Sequence, residues 1–206
     1  MLFQPMTKPT IIFDFGNVLV NWNLHAIYDR FFPDPEAVEA FLREVNFLQW
    51  NSRMDSGESF ADCVADISRA YPHYAHLFRL YDERWLDTLR EEVPGTADIV
   101  AQLKQAGYPL HLLSNISSEK FPLMLEQHAV LNLFDSVILS GKLGLIKPDP
   151  RIFVHTLDQL GRSPEACVFI DDNPANVASA RGMGIVAIQF QSANQLESEL
   201  KGMGIL

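Results

Sequence analysis

The stretch Thr10-Ile11-Ile12-Phe13-Asp14-Phe15-Gly16-Asn17-Val18 decides the fold. Its β-branched and aromatic start predicts a buried strand over Thr10 to Phe15, followed by a turn at Gly16. Similar apolar runs recur at Tyr108 to Leu113, Ser136 to Leu139, Cys167 to Ile170 and Gly184 to Phe190. Helical spacing falls between them, near 95–105, 118–127, 149–160, 173–181 and 194–201. Strands alternating with helices predict an α/β fold with a mainly parallel, Rossmann-like sheet covered on both faces.

One stretch breaks the alternation. From Leu24 to Leu89 the spacing is helical throughout, with helices near 24–31, 35–47, 58–70 and 74–89. Breaks fall at Phe32-Pro33-Asp34, Met54-Asp55-Ser56-Gly57 and Tyr71-Pro72. An insert of this length after the first strand is a four-helix bundle or lid rather than an ordinary crossover. It divides the chain into an α/β core, residues 1–21 and 91–206, and a helical cap, residues 22–90.

The composition narrows the function. A net charge of −10 comes without a basic stripe, which argues against nucleic acid as a partner. Cys63 and Cys167 lie far apart in apolar surroundings, as buried small hydrophobes do, and suggest neither a disulfide framework nor a zinc site. No segment reaches the ~20 apolar residues of a membrane span. The first residues lack the apolar core of a signal peptide. Together these predict a cytoplasmic protein with no membrane association.

Ligands of open α/β sheets bind beyond the carboxyl ends of the strands, so the residues that follow each strand carry the chemistry. Asp14 follows the first. It can present a carboxylate to a crevice or merely cap the turn. Ser114 and Asn115 follow the second, where a hydroxyl and an amide can hold an anionic oxygen or serve as an N-cap. Lys147, in Gly144-Leu145-Ile146-Lys147-Pro148-Asp149-Pro150, is either a fixed ammonium or a solvated one. Asp171 and Asp172 follow the fourth strand. Two adjacent carboxylates there repel each other and need a cation, a lysine or water to offset that, and hard oxygen ligands without His or Cys favour Mg²⁺ over zinc. The six histidines show no metal-ligand spacing.

In order and context these four segments resemble the motifs of the haloacid dehalogenase (HAD) superfamily: IIFDFGNVLV, LHLLSN, GLIKPDPRIF and VFIDDNPANV. The branch with sugar-1-phosphate phosphatases and the N-terminal phosphatase domain of soluble epoxide hydrolases is the most similar, and Trp50-Asn51 and Met54-Asp55-Ser56-Gly57-Glu58 of the cap share that likeness. The resemblance implies a HAD fold and a phosphomonoester hydrolase for a small phosphorylated metabolite, possibly a sugar phosphate. It implies Asp14 as nucleophile forming an aspartyl-phosphate. It further implies Mg²⁺ on Asp14, the Gly16 carbonyl and Asp172, with Asp171 supporting that shell and Lys147. Ser114, Asn115 and Lys147 would take the phosphoryl oxygens.

This sequence departs from the family at Gly16, where its phosphatases usually carry a second Asp as general acid and base. Such help is typically worth about 10²–10⁴-fold. Three readings stay open: another residue, water or the substrate's own hydroxyl substitutes; the leaving group needs less help; or the protein binds without catalysis. His25, early in the cap, is one candidate substitute. A metal-independent 2-haloacid dehalogenase and a non-catalytic module binding a phosphometabolite or a partner are the alternatives to a phosphatase.

Overall fold

The computed structural model describes residues 8–206. The reading of the first residues as free of a signal peptide therefore rests partly on residues outside the described ones. Five parallel strands form one sheet: β1 (Thr10–Phe13), β2 (Leu110–Ser114), β3 (Ser136–Leu139), β4 (Cys167–Asp171) and β5 (Val186–Gln189), in the order β3-β2-β1-β4-β5. β1 sits in the middle, with Ile12 opposite His111 of β2 and Phe169 of β4. The chain leaves β1 towards one side of the sheet and fills the other side later, so a crevice opens at the ends of β1, β2 and β4. Asp14 and Phe15 lie just past β1, whereas Ser114 and Asp171 are the last residues of their strands.

The insert after β1 is helical, as expected, but partitioned differently. The expected helix over 24–31 is one α-turn, α1 (His25–Tyr28), followed by a 3₁₀ turn. Four longer helices follow: α2 (Pro35–Glu44), α3 (Phe47–Asp55), α4 (Phe60–Ala70) and α5 (Ala75–Arg84), the last running into a 3₁₀ turn over Trp85–Leu89. α3 has no counterpart in the sequence reading. Asn46 separates it from α2 by taking a left-handed conformation, φ 48° and ψ 53°, which Asn tolerates better than most residues. Apolar positions continue across the break, so spacing alone hides it. The helices pack on an aromatic cluster: Phe41 meets Tyr74 and Tyr28 with ring centroids 4.8 and 5.3 Å apart, and Phe47 meets Tyr81 at 5.0 Å. Trp50 is buried there with its indole N–H donated to the Cys63 carbonyl, 2.9 Å.

The remaining helices are α6 (Thr96–Gln105), α7 (Phe121–Gln127), α8 (Ser140–Leu143), α9 (Pro150–Leu160), α10 (Pro174–Gly182) and α11 (Ala193–Gly202). Alternation along β1 sends Ile11 and Phe13 to one face, in a core with Ile99 and Leu103 of α6 and Leu196 and Leu200 of α11. Ile12 points to the other, with Ile152 and Phe153 of α9 and Val177 and Ala180 of α10. A strand buried on both faces accounts for the unbroken apolar run. Among the described residues no helix is long and apolar enough to cross a membrane.

Polar contacts and backbone join the insert to the sheet. Ser140 Oγ donates to the Asp55 carbonyl (2.6 Å) and accepts from the Ile116 N–H (2.9 Å). Lys120 reaches the Asp82 carboxylate (2.5 Å), and the Phe60 N–H donates to Glu119 (3.3 Å). Gly57, at φ +100°, lies so close to α8 that a Cβ there would stand 2.7 Å from the Gly141 carbonyl oxygen. A Cβ on Gly141 would in turn stand 2.7 Å from the Ser118 nitrogen.

Candidate active site

The four segments singled out by sequence meet at one cavity of about 420 Å³, lined by Asp14, Gly16, Ser114, Asn115, Lys147 and Asp172, among others. Lys147 is 3% exposed and spends its three donors inside the protein. Its Nζ bonds Asp14 Oδ1 at 2.8 Å, Asp171 Oδ2 at 2.7 Å and the Leu113 carbonyl at 2.9 Å. It is thus no solvated lysine but the counter-charge of two buried carboxylates. Burial acts to lower its pKa, and Asp14 and Asp171 outweigh that, so the group is held above the ordinary lysine value.

Asp14 Oδ1 also accepts from the Phe15 N–H at 2.7 Å. Burial pushes the Asp14 carboxyl up to about 7, against the pull of Lys147. Both oxygens of Asp171 are engaged: Oδ1 accepts from the Asn173 N–H and the Asn176 amide, each at 2.9 Å, and Oδ2 takes Lys147. Asp172 accepts from the Asn17 amide at 3.1 Å, and burial raises its pKa as well. Oxygens of Asp14, Asp171 and Asp172 all lie within 4.8 Å of one another.

Sequence reasoning gave Asn115 to the phosphoryl group. Its side chain lines the cavity, with one amide proton donated to the Lys147 carbonyl (2.9 Å) and Oδ1 accepting from the Lys147 N–H (2.8 Å). The side chain therefore positions the lysine loop.

The model of the haloacid dehalogenase-like hydrolase family matches residues 8–184. The chain belongs to that family. Among characterised relatives, the hydrolase is 25% identical to a sesquiterpene phosphatase of Aspergillus oryzae, over 95% of this chain and 96% of the other. It is 27% identical to bifunctional epoxide hydrolase 2 of Rattus norvegicus over 82% of this chain, which spans only 31% of that longer protein. In fold it matches a HAD family enzyme of Bacteroides thetaiotaomicron, solved with magnesium and inorganic phosphate, with a TM-score of 0.69 at 21% identity, over 90% of this chain and 95% of the other.

Gly16 of the hydrolase is not a glycine for want of room, since a Cβ there meets nothing among the described residues within 4 Å. His25 does not take over the missing role. Its ring nitrogens bond Asp29 (2.6 Å) and Glu39 (3.0 Å), and it is not among the residues lining the cavity.

Three residues of the site escaped the sequence reading. Asn17, left-handed at φ 54°, holds Asp172 and accepts from the Trp22 N–H at 3.0 Å. Asn176, on α10, braces Asp171 and keeps a buried Oδ1 without a partner among the described residues. Asp55, at the end of α3, lines the cavity from the cap side. Burial, with a further push from the Asp14 charge, raises its carboxyl to about 8.

That shift has a sign that can be tested. Between pH 4 and 8 the unfolded chain has lost the Asp55 proton while the folded chain keeps it, so stability falls as pH rises through this window. Asp55→Asn removes this dependence. In urea unfolding without metal, the variant should gain stability relative to the wild type on going from pH 5 to pH 8.5.

Proposed function

We propose that the hydrolase is a magnesium-dependent phosphomonoesterase for a small phosphorylated metabolite, with sugar phosphates among the fitting substrates. The observation that supports this best is the convergence of Asp14, Lys147 and Asp172 at one cavity, with Asp171 buried directly behind them. The donor set fits Mg²⁺, being carboxylate oxygen with no His or Cys. Asp14 and Asp172, with the Gly16 carbonyl, would hold the ion. Asp171 stands behind them because both its oxygens already take protein donors. Bound there, magnesium would offset phosphate charge.

The Asp14 carboxylate attacks phosphorus and forms the aspartyl-phosphate, oriented by the Phe15 N–H and by Lys147. Ser114 brings its hydroxyl to the same cavity for a phosphoryl oxygen. Trp22, Trp85, Leu48 and Leu89 supply an apolar wall for the ring or carbon skeleton of the leaving group. Residues 22–90 act as a cap that closes over this site and excludes water. A 2-haloacid is disfavoured, because its own carboxylate would meet Asp172 beside the nucleophile.

The deciding assay is phosphate release from a panel of phosphomonoesters in Mg²⁺ and in EDTA. Release that needs the metal is the expected result. Halide release from 2-chloropropionate, with no phosphate from any ester, would move the reading to dehalogenation. A second check needs no turnover. Magnesium at a hundredfold excess over its dissociation constant should stabilise the fold by about 2.7 kcal/mol, or roughly 5–11 °C in Tm for a chain of this size. Calorimetry of Asp172→Asn should lose most of that shift.

A further inference from the structure

A phosphatase that expels an alcohol must hand a proton to the leaving oxygen, since an alkoxide is a poor leaving group. Lys147 cannot give one, because its three donors face Asp14, Asp171 and the Leu113 carbonyl. Asp172 and Asp14 sit in the carboxylate cluster assigned above to the cation and the nucleophile. Tyr81 lines the cavity too, but its hydroxyl is donated to Asn51 Oδ1 at 2.7 Å. The remaining carboxyl on the cavity wall is Asp55.

We propose that Asp55, on the cap, is the general acid and base of phosphoryl transfer, replacing the side chain that Gly16 lacks. This rests on the phosphatase reading.

Its setting suits the task. The Asn51 amide donates to Asp55 Oδ2 at 2.8 Å, and the Tyr81 hydroxyl fixes the orientation of that amide. With Oδ2 held as an acceptor, the proton of the neutral acid resides on Oδ1, which takes no hydrogen bond from the described residues. The Asp55 carbonyl accepts from Ser140 at the start of α8, which sets the carboxyl at a fixed depth. Asp14 and Lys147 are the charged groups across the cavity from it.

In the first step an Asp14 oxygen bonds to phosphorus, and the phosphorus–oxygen bond to the alcohol breaks with its electron pair on the leaving oxygen. Asp55 Oδ1 gives that oxygen its proton, releasing a neutral alcohol and leaving a carboxylate. In the second step this carboxylate takes a proton from water as the water oxygen bonds to phosphorus. The phosphorus–Asp14 bond breaks, and inorganic phosphate, the Asp14 carboxylate and protonated Asp55 are restored.

The test compares Asp55→Asn with wild type on two esters, glycerol 2-phosphate and p-nitrophenyl phosphate, by rapid mixing in Mg²⁺. Nitrophenolate leaves without a proton, so the variant should release about one nitrophenolate per active site in a burst. It should then stall as phosphoenzyme, its steady rate lowered about 10²–10⁴-fold. Glycerol 2-phosphate should give no burst and a loss at least as large. Wild-type rates on both esters, equal slowing of both without a burst, or a raised KM at unchanged kcat would each overturn the assignment. If Asp55→Asn does not fold, by circular dichroism, Asp55→Ser is read by the same criteria. Absence of phosphate release from either ester by the wild type would instead sink the phosphatase reading itself.

Discussion

Asp14→Asn is expected to lower phosphate release by about 10⁴-fold or more, in line with removal of a covalent nucleophile. The amide matches the carboxylate in size and can still accept from the Phe15 N–H, so the site keeps its shape. What it loses is the charge that attacks phosphorus. Lys147 keeps Asp171 as its second counter-ion, 2.7 Å away, and is not left as a lone buried cation. The variant should therefore fold, keep the cavity and trap no phosphoenzyme. Labelling with a ³²P-phosphomonoester, quenched in acid, checks this: wild type should carry acid-stable label and Asp14→Asn none. Undiminished release by the variant would remove Asp14 from the chemistry.

Lys147→Met is expected to act on the fold as much as on turnover. The methionine fills similar volume but leaves Asp14 and Asp171 as neighbouring buried carboxylates with no ammonium between them. Removing one partner of a buried ion pair costs about 3–5 kcal/mol. Against total stabilities of about 5–15 kcal/mol this is a large fraction. It corresponds to a fall of roughly 6–20 °C in Tm. The loss should shrink as pH drops, since protonating the stranded carboxyls removes their charge. Thermal melts at pH 5 and pH 8 test both magnitude and sign. A melt within a degree of wild type at pH 8 would mean that Lys147 does not hold these carboxylates together.

How much of this was legible in the sequence follows from how local each feature is. Asp14, Ser114 and Asp171 stand at the ends of apolar runs, and a parallel sheet brings such ends together whatever the loops do. Asp171 as a partner of Lys147 came with the family resemblance, but Asp14 and the Leu113 carbonyl were not readable as partners, because they depend on the lysine loop folding back under β2, where Asn115 clamps it. The α2–α3 break turns on one left-handed Asn46 inside a continuous apolar pattern. Asp55 stood in a polar turn whose segment shares the likeness to the phosphatase branch, but no role attached to it. Nothing local to Met54-Asp55-Ser56-Gly57 tells that the end of α3 is carried back over β1, since that is set by packing among α3, α4 and α5. The gap at Gly16 was visible only against the family's pattern, and the carboxyl that faces the same cavity came from a different segment of the chain.

The contact between Gly57 and Gly141 places main chain directly against main chain, with no side chain between them. Such a contact offers no side-chain length to trim or extend. Asp55 stands two positions before it, so its reach into the cavity is governed by the number of residues in the turn after α3. Adding or deleting one residue there would shift it by a helical rise, about 1.5 Å, and turn it by about a quarter of a revolution. Point substitutions along this turn can change which atoms face the ligand, but only a change of chain length can change how deep they stand. Homologues with a longer or shorter turn should therefore differ in the size of molecule they accept, even where the residues on the sheet are identical.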